Sequence, residues 1–229
     1  RQDNYIWLLK KGQHALVVDP GDAAPVIERL QQLQLDLDAI LLTHYHLDHI
    51  AGVPELLCHY PQALCYGPQP PHPLLPGKIP LSDGQQLQLP TLDLSFNIMQ
   101  LPGHTPEHIA YEGEGCLFCG DVLFAGGCGR LLDGTAEQMY QSLQRIKQLP
   151  EQTQIYCAHE YTQGNLAFCQ SVEPDNLRTA ERLRNVSKLR QQGLPTIPSG
   201  LADELATNVF LRTQLPQVRH WAELQALRE

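Results

Sequence analysis

Residues 39–49 read Ala39-Ile40-Leu41-Leu42-Thr43-His44-Tyr45-His46-Leu47-Asp48-His49. The first four residues form a continuous apolar run, which is typical of a strand buried on both faces. Three imidazoles and a carboxylate follow directly, at the end of a strand, where α/β folds usually place their chemistry. Imidazole nitrogen binds zinc, iron or manganese, and a carboxylate adds a hard, charged oxygen. The spacing therefore predicts a metal site rather than three histidines on a solvated turn.

Further metal-ligand candidates occur later in the chain, each directly after an apolar segment: His104, Asp121 and His159. Taken singly, such a residue is more often a cap or part of a solvated turn. Together with the first stretch they give five histidines and two aspartates. That set is large enough for two metal ions that keep an open coordination position, as catalytic sites do.

The order of these residues resembles the metallo-β-lactamase superfamily. Further segments are similar to the glyoxalase II (hydroxyacylglutathione hydrolase) family, so that the resemblance extends over nearly the whole chain. These segments are Asp3-Asn4-Tyr5-Ile6-Trp7, Val18-Asp19-Pro20-Gly21-Asp22, Leu123-Phe124-Ala125-Gly126-Gly127-Cys128-Gly129-Arg130, Cys157-Ala158-His159-Glu160-Tyr161-Thr162 and Asn208-Val209-Phe210-Leu211-Arg212.

The resemblance implies a centre of two divalent metal ions. The first ion would be held by His44, His46 and His104, the second by Asp48, His49 and His159, and Asp121 would bridge the two. Zinc is the expected metal, and iron or manganese also accept these ligands. The implied reaction is hydrolysis of S-(2-hydroxyacyl)glutathione, chiefly S-D-lactoylglutathione, to glutathione and D-lactate by a bridging hydroxide, which detoxifies methylglyoxal. Asp48 and Asp121 would be the catalytic residues.

Glutathione carries two carboxylates, so its pocket needs fixed cations, and arginine can bind a carboxylate through two hydrogen bonds. The resemblance implies substrate contacts from Arg130, Leu132, Tyr161 and Arg228. Leu132 stands where some relatives carry a tyrosine, and Arg228 aligns with the first residue of a basic pair. The alternative for both arginines is ordinary solvated surface charge.

One rival function is that of a glutathione persulfide dioxygenase, which belongs to the same superfamily and uses a single iron. The presence of Asp48, His49 and His159, which would complete a second metal site, favours the hydrolase. A structural metal module is a weaker alternative, because seven ligands for two ions leave coordination positions open.

The overall composition limits partners and location. A net charge of −9 argues against nucleic acid and anionic membranes as partners. No apolar run approaches membrane-spanning length. The seven cysteines are odd in number and scattered, which favours reduced thiols and a cytoplasmic protein. We expect a monomer that acts on a small glutathione thioester.

Apolar patterns predict strands that first alternate with helices and then form hairpins. Helices are expected over Pro25–Leu35, Ile50–Tyr60 and Thr135–Leu149, the last opening with a capping box. After Gln163 we expect no strand, a helix that buries Leu177, Ala180, Leu183, Val186 and Leu189, and a final helix over Leu215–Leu227. The expected fold is α/β (α+β): a metallo-β-lactamase-type αββα sandwich over residues 1–163, followed by a small helical domain over residues 164–229 that completes the glutathione site.

Overall fold

The computed structural model of this chain describes residues 3–226. These residues fall into two compact units, and each is described by itself. The first unit contains residues up to 100 together with 107–114, and the second contains residues 101–106 and those from 115 onward. In the part of the chain that is described, no helix is both long and apolar enough to cross a membrane.

A mixed five-stranded sheet dominates the first unit. Its elements are β1 (Trp7–Lys11), β2 (His14–Val18), α1 (Ala24–Leu33), β3 (Asp36–Leu41), α2 (Leu47–Ile50), α3 (Val53–His59), β4 (Leu64–Gly67) and β5 (Ile79–Pro80). The strands lie in the order β1-β2-β3-β4-β5, with β1 antiparallel to β2 and the other neighbouring pairs parallel.

Parallel strands need crossover connections, and helices that cover the sheet supply them. Strand β3 is therefore buried, with Ala39, Ile40 and Leu41 fully excluded from solvent. The chain emerges from this strand into residues 43–49, so the rigid core of the unit sets the position of the predicted metal ligands.

The first unit also contains an antiparallel meander of β6 (Gln86–Leu89), β7 (Leu94–Gln100) and β8 (Ile109–Gly113). Tyr111 of β8 is fully buried, and its hydroxyl donates a hydrogen bond to the carbonyl oxygen of Leu42 at 2.8 Å. The same hydroxyl accepts one from the Leu42 amide at 3.1 Å. The Tyr111 hydroxyl therefore contacts both backbone groups of Leu42, the residue between β3 and Thr43, and the Leu42 amide also donates to the Tyr66 carbonyl oxygen at 2.9 Å.

Strands and helices alternate in the second unit and give way to helices toward its end. The elements are β9 (Cys116–Gly120), β10 (Leu123–Phe124), β11 (Gly127–Cys128), α4 (Ala136–Ile146), β12 (Gln154–Cys157), α5 (Thr162–Val172), α6 (Leu177–Gln191), β13 (Ser199–Gly200), α7 (Leu201–Thr207), a 3₁₀ helix (Val209–Leu211) and α8 (Leu215–Ala226). Strand β12 pairs in parallel with β9 and antiparallel with β13, and β10 and β11 form a hairpin. The capping box at Thr135 is confirmed: its side chain accepts from the Gln138 amide, and the Gln138 side chain accepts from the Thr135 amide.

Three details of the expected secondary structure are wrong. The helix expected over Ile50–Tyr60 is broken into α2 and α3, and Pro54 lies in the first turn of α3, where its missing amide hydrogen costs nothing. The chain after Gln163 contains the short strand β13, which pairs with Gln154 and Ile155. Helix α6 buries Thr179 and Val186, whereas Leu177 is 80% exposed, because the helix packs through a narrower face than its apolar spacing indicates.

Candidate metal centre

Thr43 fixes the orientation of the His44 ring. The buried Thr43 hydroxyl donates to Oδ2 of Asp19 at 2.7 Å, and the Thr43 amide donates to Oδ1 of the same carboxylate at 2.8 Å. Because its single hydrogen is used in this way, the hydroxyl can only accept from Nδ1 of His44, which lies 3.1 Å away. His44 is fully buried. Its Nε2 lone pair is therefore the one available to a metal.

His46 and His49 lie beside His44 in the same unit. Nε2 of His44 and Nδ1 of His46 are 2.9 Å apart, and the ring centroids of His44 and His49 are 4.0 Å apart. One ligand atom of Asp48 lies within 4.8 Å of one of His49. The amide of Asn4 approaches the Asp48 backbone carbonyl at 3.2 Å. The first unit thus gathers four of the predicted ligands, which we call the first cluster: His44, His46, Asp48 and His49.

Asp19 is a candidate supporting residue that the sequence analysis did not single out. Besides holding Thr43, its Oδ2 lies 3.1 Å from Nδ1 of His49, and both side chains are buried. A carboxylate in this position orients an imidazole ligand and leaves Nε2 for a metal. Its location directly after the buried strand β2 could have identified it as a candidate site residue from the sequence.

Gly21 explains why this loop can lie so close to the first cluster. A Cβ at this position would be 1.8 Å from the backbone oxygen of Asp48, an overlap that no side chain can relieve. The loop after β2 and the start of α2 can approach each other only with glycine here.

In the second unit, Asp121 lies between two imidazoles. Its Oδ2 is 3.3 Å from Nε2 of His104, and its Oδ1 is 3.4 Å from Nε2 of His159. Nδ1 of His104 lies 2.8 Å from the carbonyl oxygen of Arg130, so Nδ1 carries the hydrogen and Nε2 faces the carboxylate as a lone pair. All three side chains are nearly excluded from solvent. We call His104, Asp121 and His159 the second cluster.

These distances fit metal ligation. Two ligands of a tetrahedral zinc ion, each bonded at about 2.0–2.1 Å, are ~3.3 Å apart. Both separations from Asp121 match that spacing, and they are longer than a typical charge-assisted hydrogen bond. Each carboxylate oxygen of Asp121 faces a different imidazole.

Aromatic packing surrounds His159. The ring of Tyr161 stacks on it at 4.8 Å with an interplanar angle of 2°, and Phe124 presents its edge to both rings at 5.8 and 5.3 Å. Tyr161 remains 40% exposed, so this predicted substrate contact is accessible next to a predicted ligand.

Three further residues were predicted to contact the substrate: Arg130, Leu132 and Arg228. Arg130 and Leu132 follow β11 and are exposed, and the backbone of Arg130 is tied to His104. Arg228 lies outside the described residues.

Two neighbours of the first cluster have packing roles. Burial and the charge of Glu107 raise the pKa of Tyr45 well above its ordinary value, and its phenol donates to the Pro68 carbonyl at 2.7 Å. The His108 ring, which is fully buried, stacks on His44 at 4.7 Å. Neither residue was predicted to be a ligand.

Comparisons with known protein families divide the chain into two matched segments. Residues 2–159 match the model of the metallo-beta-lactamase superfamily, and residues 160–229 match that of the hydroxyacylglutathione hydrolase C-terminus. The hydroxyacylglutathione hydrolase of Tolumonas auensis is 56% identical over 97% of this chain and 87% of its own length. That of Nitrosomonas europaea is 47% identical over the whole chain and 86% of its own length.

Solved structures share the fold. ETHE1 from Myxococcus xanthus superposes with a TM-score of 0.72 at 23% identity, over 96% of this chain and 85% of its own, which shows the fold alone. TTHA1623, solved in a di-iron-bound form, gives a TM-score of 0.59 at 29% identity, over 68% of this chain and 87% of its own. The expected metallo-β-lactamase fold, with mixed sheets, helices and a C-terminal helical region, is confirmed.

Clusters of imidazole and carboxylate donors in this fold indicate a site for divalent metal. The two family models and the identity of 56% over 97% of the chain agree with the resemblance found in the sequence. The chain belongs to the hydroxyacylglutathione hydrolase (glyoxalase II) family of the metallo-β-lactamase superfamily.

Proposed function

We propose that this chain hydrolyses the thioester of S-(2-hydroxyacyl)glutathione, chiefly S-D-lactoylglutathione, to glutathione and D-lactate, a step of methylglyoxal detoxification. The observation that carries this proposal is the similarity to hydroxyacylglutathione hydrolases over nearly the whole chain, including the C-terminal segment. The cysteine-type leaving group has a pKa of about 8.5 and departs as a thiolate without a strong general acid. The described clusters contain no candidate for such an acid beyond the predicted ligands.

The donor set supports two divalent ions, with zinc expected and iron or manganese as alternatives. We assign His44, His46 and His104 to the first ion and Asp48, His49 and His159 to the second, with Asp121 bridging. When bound, such ions polarise a carbonyl and lower the pKa of a coordinated water to about 7, so that hydroxide is available at neutral pH.

The chain's own residues prepare this chemistry. Asp19, Thr43 and the Arg130 carbonyl hold three imidazoles in fixed orientations, so that little reorganisation is needed at the moment of reaction. We assign Asp121 and Asp48 as the catalytic carboxylates: Asp121 would hold the ions, and Asp48, whose Oδ2 lies 3.4 Å from the Asn4 amide nitrogen, would orient the attacking water.

Substrate binding is assigned to Arg130, Leu132, Tyr161 and Arg228. A guanidinium at position 130 suits a glutathione carboxylate, because it presents paired donors in a fixed plane. The Tyr161 ring, stacked on His159, would bring the thiol part of the substrate next to the metal ligands. Leu132, which is 56% exposed, would supply apolar contact.

We further propose that residues 1–163 form the catalytic domain and residues 164–229 a helical domain that completes the glutathione site. We also propose a monomer and a cytoplasmic location, and the absence of a disulfide among the seven described cysteines supports the latter. Light scattering of the purified protein tests whether it is a monomer.

The decisive experiment measures turnover and metal content on the same purified sample. We expect hydrolysis of S-D-lactoylglutathione, about two divalent ions per chain, and much slower hydrolysis of the lactoyl thioester of coenzyme A, which lacks the glutathione carboxylates. Equal rates on both thioesters would contradict the proposed specificity for glutathione. A single iron with oxygen uptake on glutathione persulfide would replace the hydrolase by a persulfide dioxygenase.

A further inference from the structure

The β10–β11 hairpin turns at residues 124–127, a segment that we call the 124–127 turn. It follows Asp121 and leads to Arg130, whose carbonyl oxygen holds His104. A residue of the turn itself, Phe124, packs against His159. The turn therefore connects to all three members of the second cluster, although it contains none of them.

A buried carboxylate from helix α7 holds the centre of this turn. Glu204 is fully buried, and its Oε2 accepts from the Gly126 amide at 2.8 Å. Its Oε1 accepts from Nη2 of Arg182 at 2.5 Å. Arg182 belongs to α6 and also donates to the Thr207 hydroxyl at 2.6 Å. A buried charge is tolerated only when it is paired and fully hydrogen-bonded, and this one is.

Asn208, at the end of the same helix, is also fully buried and holds both sides of the turn. Its amide donates to the carbonyl oxygens of Gly127 at 2.9 Å and Phe124 at 3.2 Å, and it lies 3.1 Å from Glu204. The side chain of Asn208 also accepts from the Phe210 amide at 3.0 Å. The Asn208–Arg212 segment is one of those similar to the glyoxalase II family. These bonds give it a structural role, whereas the proposed chemistry assigns it none.

Helix α5 supplies the remaining contacts. Asn165 donates to the carbonyl oxygen of Ala125 at 3.1 Å, and the Cys169 thiol donates to that of Gly126 at 3.0 Å. Burial raises the pKa of the Cys169 thiol to about 11, so it keeps the hydrogen that it donates. Side chains from the C-terminal helices thus bind five backbone groups of one four-residue turn.

Residues 124–127 are buried, so their backbone groups need such partners. Gly126 has a positive φ of 71°, and a Cβ there would lie 3.0 Å from the Leu166 side chain. The turn is therefore both conformationally special and tightly enclosed. Enclosure of this kind is what fixes the geometry of groups that hold a metal ion.

We infer that Glu204 and Asn208 are positioning residues for the metal centre: they hold the 124–127 turn and, through it, the second cluster. This inference rests on the proposed function, since it concerns the same site. Neither residue touches the reacting atoms. The C-terminal segment would then serve the metal ligands as well as the glutathione pocket.

The test compares two neighbouring carboxylates on α7. Glu204→Gln removes the charge that faces Arg182 and disturbs the hold on Gly126, whereas Asp203→Asn changes a carboxylate that is 58% exposed. Zinc affinity is measured by competition with a chromogenic chelator on folded protein, together with the melting temperature. We expect roughly 10–100-fold weaker zinc binding for Glu204→Gln, the range found for residues that support ligands, and no change for Asp203→Asn.

A purely structural role would give a different result. In that case Glu204→Gln would lower the melting temperature, but the folded fraction would bind zinc as tightly as the parent protein, which would overturn the inference. Asn165→Ala is a milder variant that removes one of the five bonds, and it decides the matter if Glu204→Gln does not fold. We expect a severalfold loss of zinc affinity for it, and unchanged affinity would likewise count against the inference.

The zinc measurement also separates this inference from the proposed function. If the parent protein hydrolyses S-D-lactoylglutathione but both variants keep full zinc affinity, the inference fails and the function stands. If the parent protein binds zinc without hydrolysing the thioester, the function fails while the zinc measurement still decides the role of Glu204.

Discussion

Nδ1 of His49 lies 3.1 Å from Oδ2 of Asp19, and both side chains are almost completely excluded from solvent. The same carboxylate accepts two hydrogen bonds from Thr43, which in turn fixes the His44 ring. One buried aspartate therefore orients two imidazoles of the first cluster. A carboxylate that supports an imidazole ligand both fixes its tautomer and raises its basicity.

Asp19→Asn should weaken metal binding without removing a ligand. The amide keeps the size of the carboxylate, but its NH₂ group would face a donor in either orientation: the Thr43 amide at the Oδ1 position, or the Thr43 hydroxyl and His49 Nδ1 at the Oδ2 position. We expect roughly 10–100-fold lower zinc affinity, measured by chelator competition. Asp22→Asn is the matched control, because Asp22 is an exposed carboxylate on the same loop. Equal affinities for both variants would show that Asp19 has no part in holding the metal.

Asp121→Asn tests whether this carboxylate serves two ions. An amide is neutral and has one acceptor oxygen where the carboxylate has two, so neither facing imidazole would keep an anionic partner and the side chain could offer an oxygen to only one ion. Elemental analysis should show metal content falling from about two ions per chain to one or fewer, with activity reduced by roughly a hundredfold or more. Asp175→Asn, an exposed change in the same unit, should alter neither. Full metal content in Asp121→Asn would remove the residue from the centre.

The ligand clusters could be predicted from the sequence because their chemistry is local. His44, His46, Asp48 and His49 are adjacent in the chain and follow a strand whose apolar run is unambiguous. His104, Asp121 and His159 could be added because each follows its own strand-like segment. The family resemblance then assigned each residue to the first ion, to the second ion or to both.

The supporting residues could not be predicted in the same way. Asp19 and Glu204 are single carboxylates, and such residues are mostly exposed, so even the position of Asp19 after a strand does not show its partners. Their roles depend on burial and on partners distant in the chain, such as His49 for the one and Arg182 for the other. The two-residue strand β13 escaped prediction for a similar reason, since its pairing with β12 is set by tertiary packing and not by its own residues.

Arg130→Ala tests the proposed recognition of a glutathione carboxylate. A hydrogen bond to a charged group contributes about 1.5–3 kcal/mol, and exposure of the arginine places the value at the low end, so KM should rise roughly tenfold. The value of kcat should change less, because the contact is made equally in the ground state and the transition state. Arg184→Ala removes an exposed arginine of α6 and serves as the control. A kcat loss with unchanged KM would assign Arg130 to the chemistry instead.

The buried thiols make a prediction about alkaline stability. Burial raises the pKa of Cys65 and Cys157 from 9.0 to about 12. Below about pH 9 the thiols are protonated in both folded and unfolded chains and contribute nothing to the pH dependence. Between about pH 9 and 12 the unfolded chain releases these protons while the native protein keeps them. The free energy of unfolding must therefore fall as pH rises, by up to about 1.4 kcal/mol per pH unit for each thiol.

Denaturant unfolding of the metal-free, reduced protein at pH 8, 9.5 and 10.5 measures this slope. Cys65→Ala should be less stable at every pH because it leaves a cavity, but its stability should fall less steeply above pH 9, since one buried proton is gone. Cys58→Ala, which removes an exposed thiol, should keep the parent slope. Only the slopes of the free energy of unfolding against pH are compared, so the stability that the cavity removes at every pH does not affect the result. Parallel slopes for Cys65→Ala and the parent protein would mean that the Cys65 thiol titrates alike in folded and unfolded chains, and the prediction would be wrong.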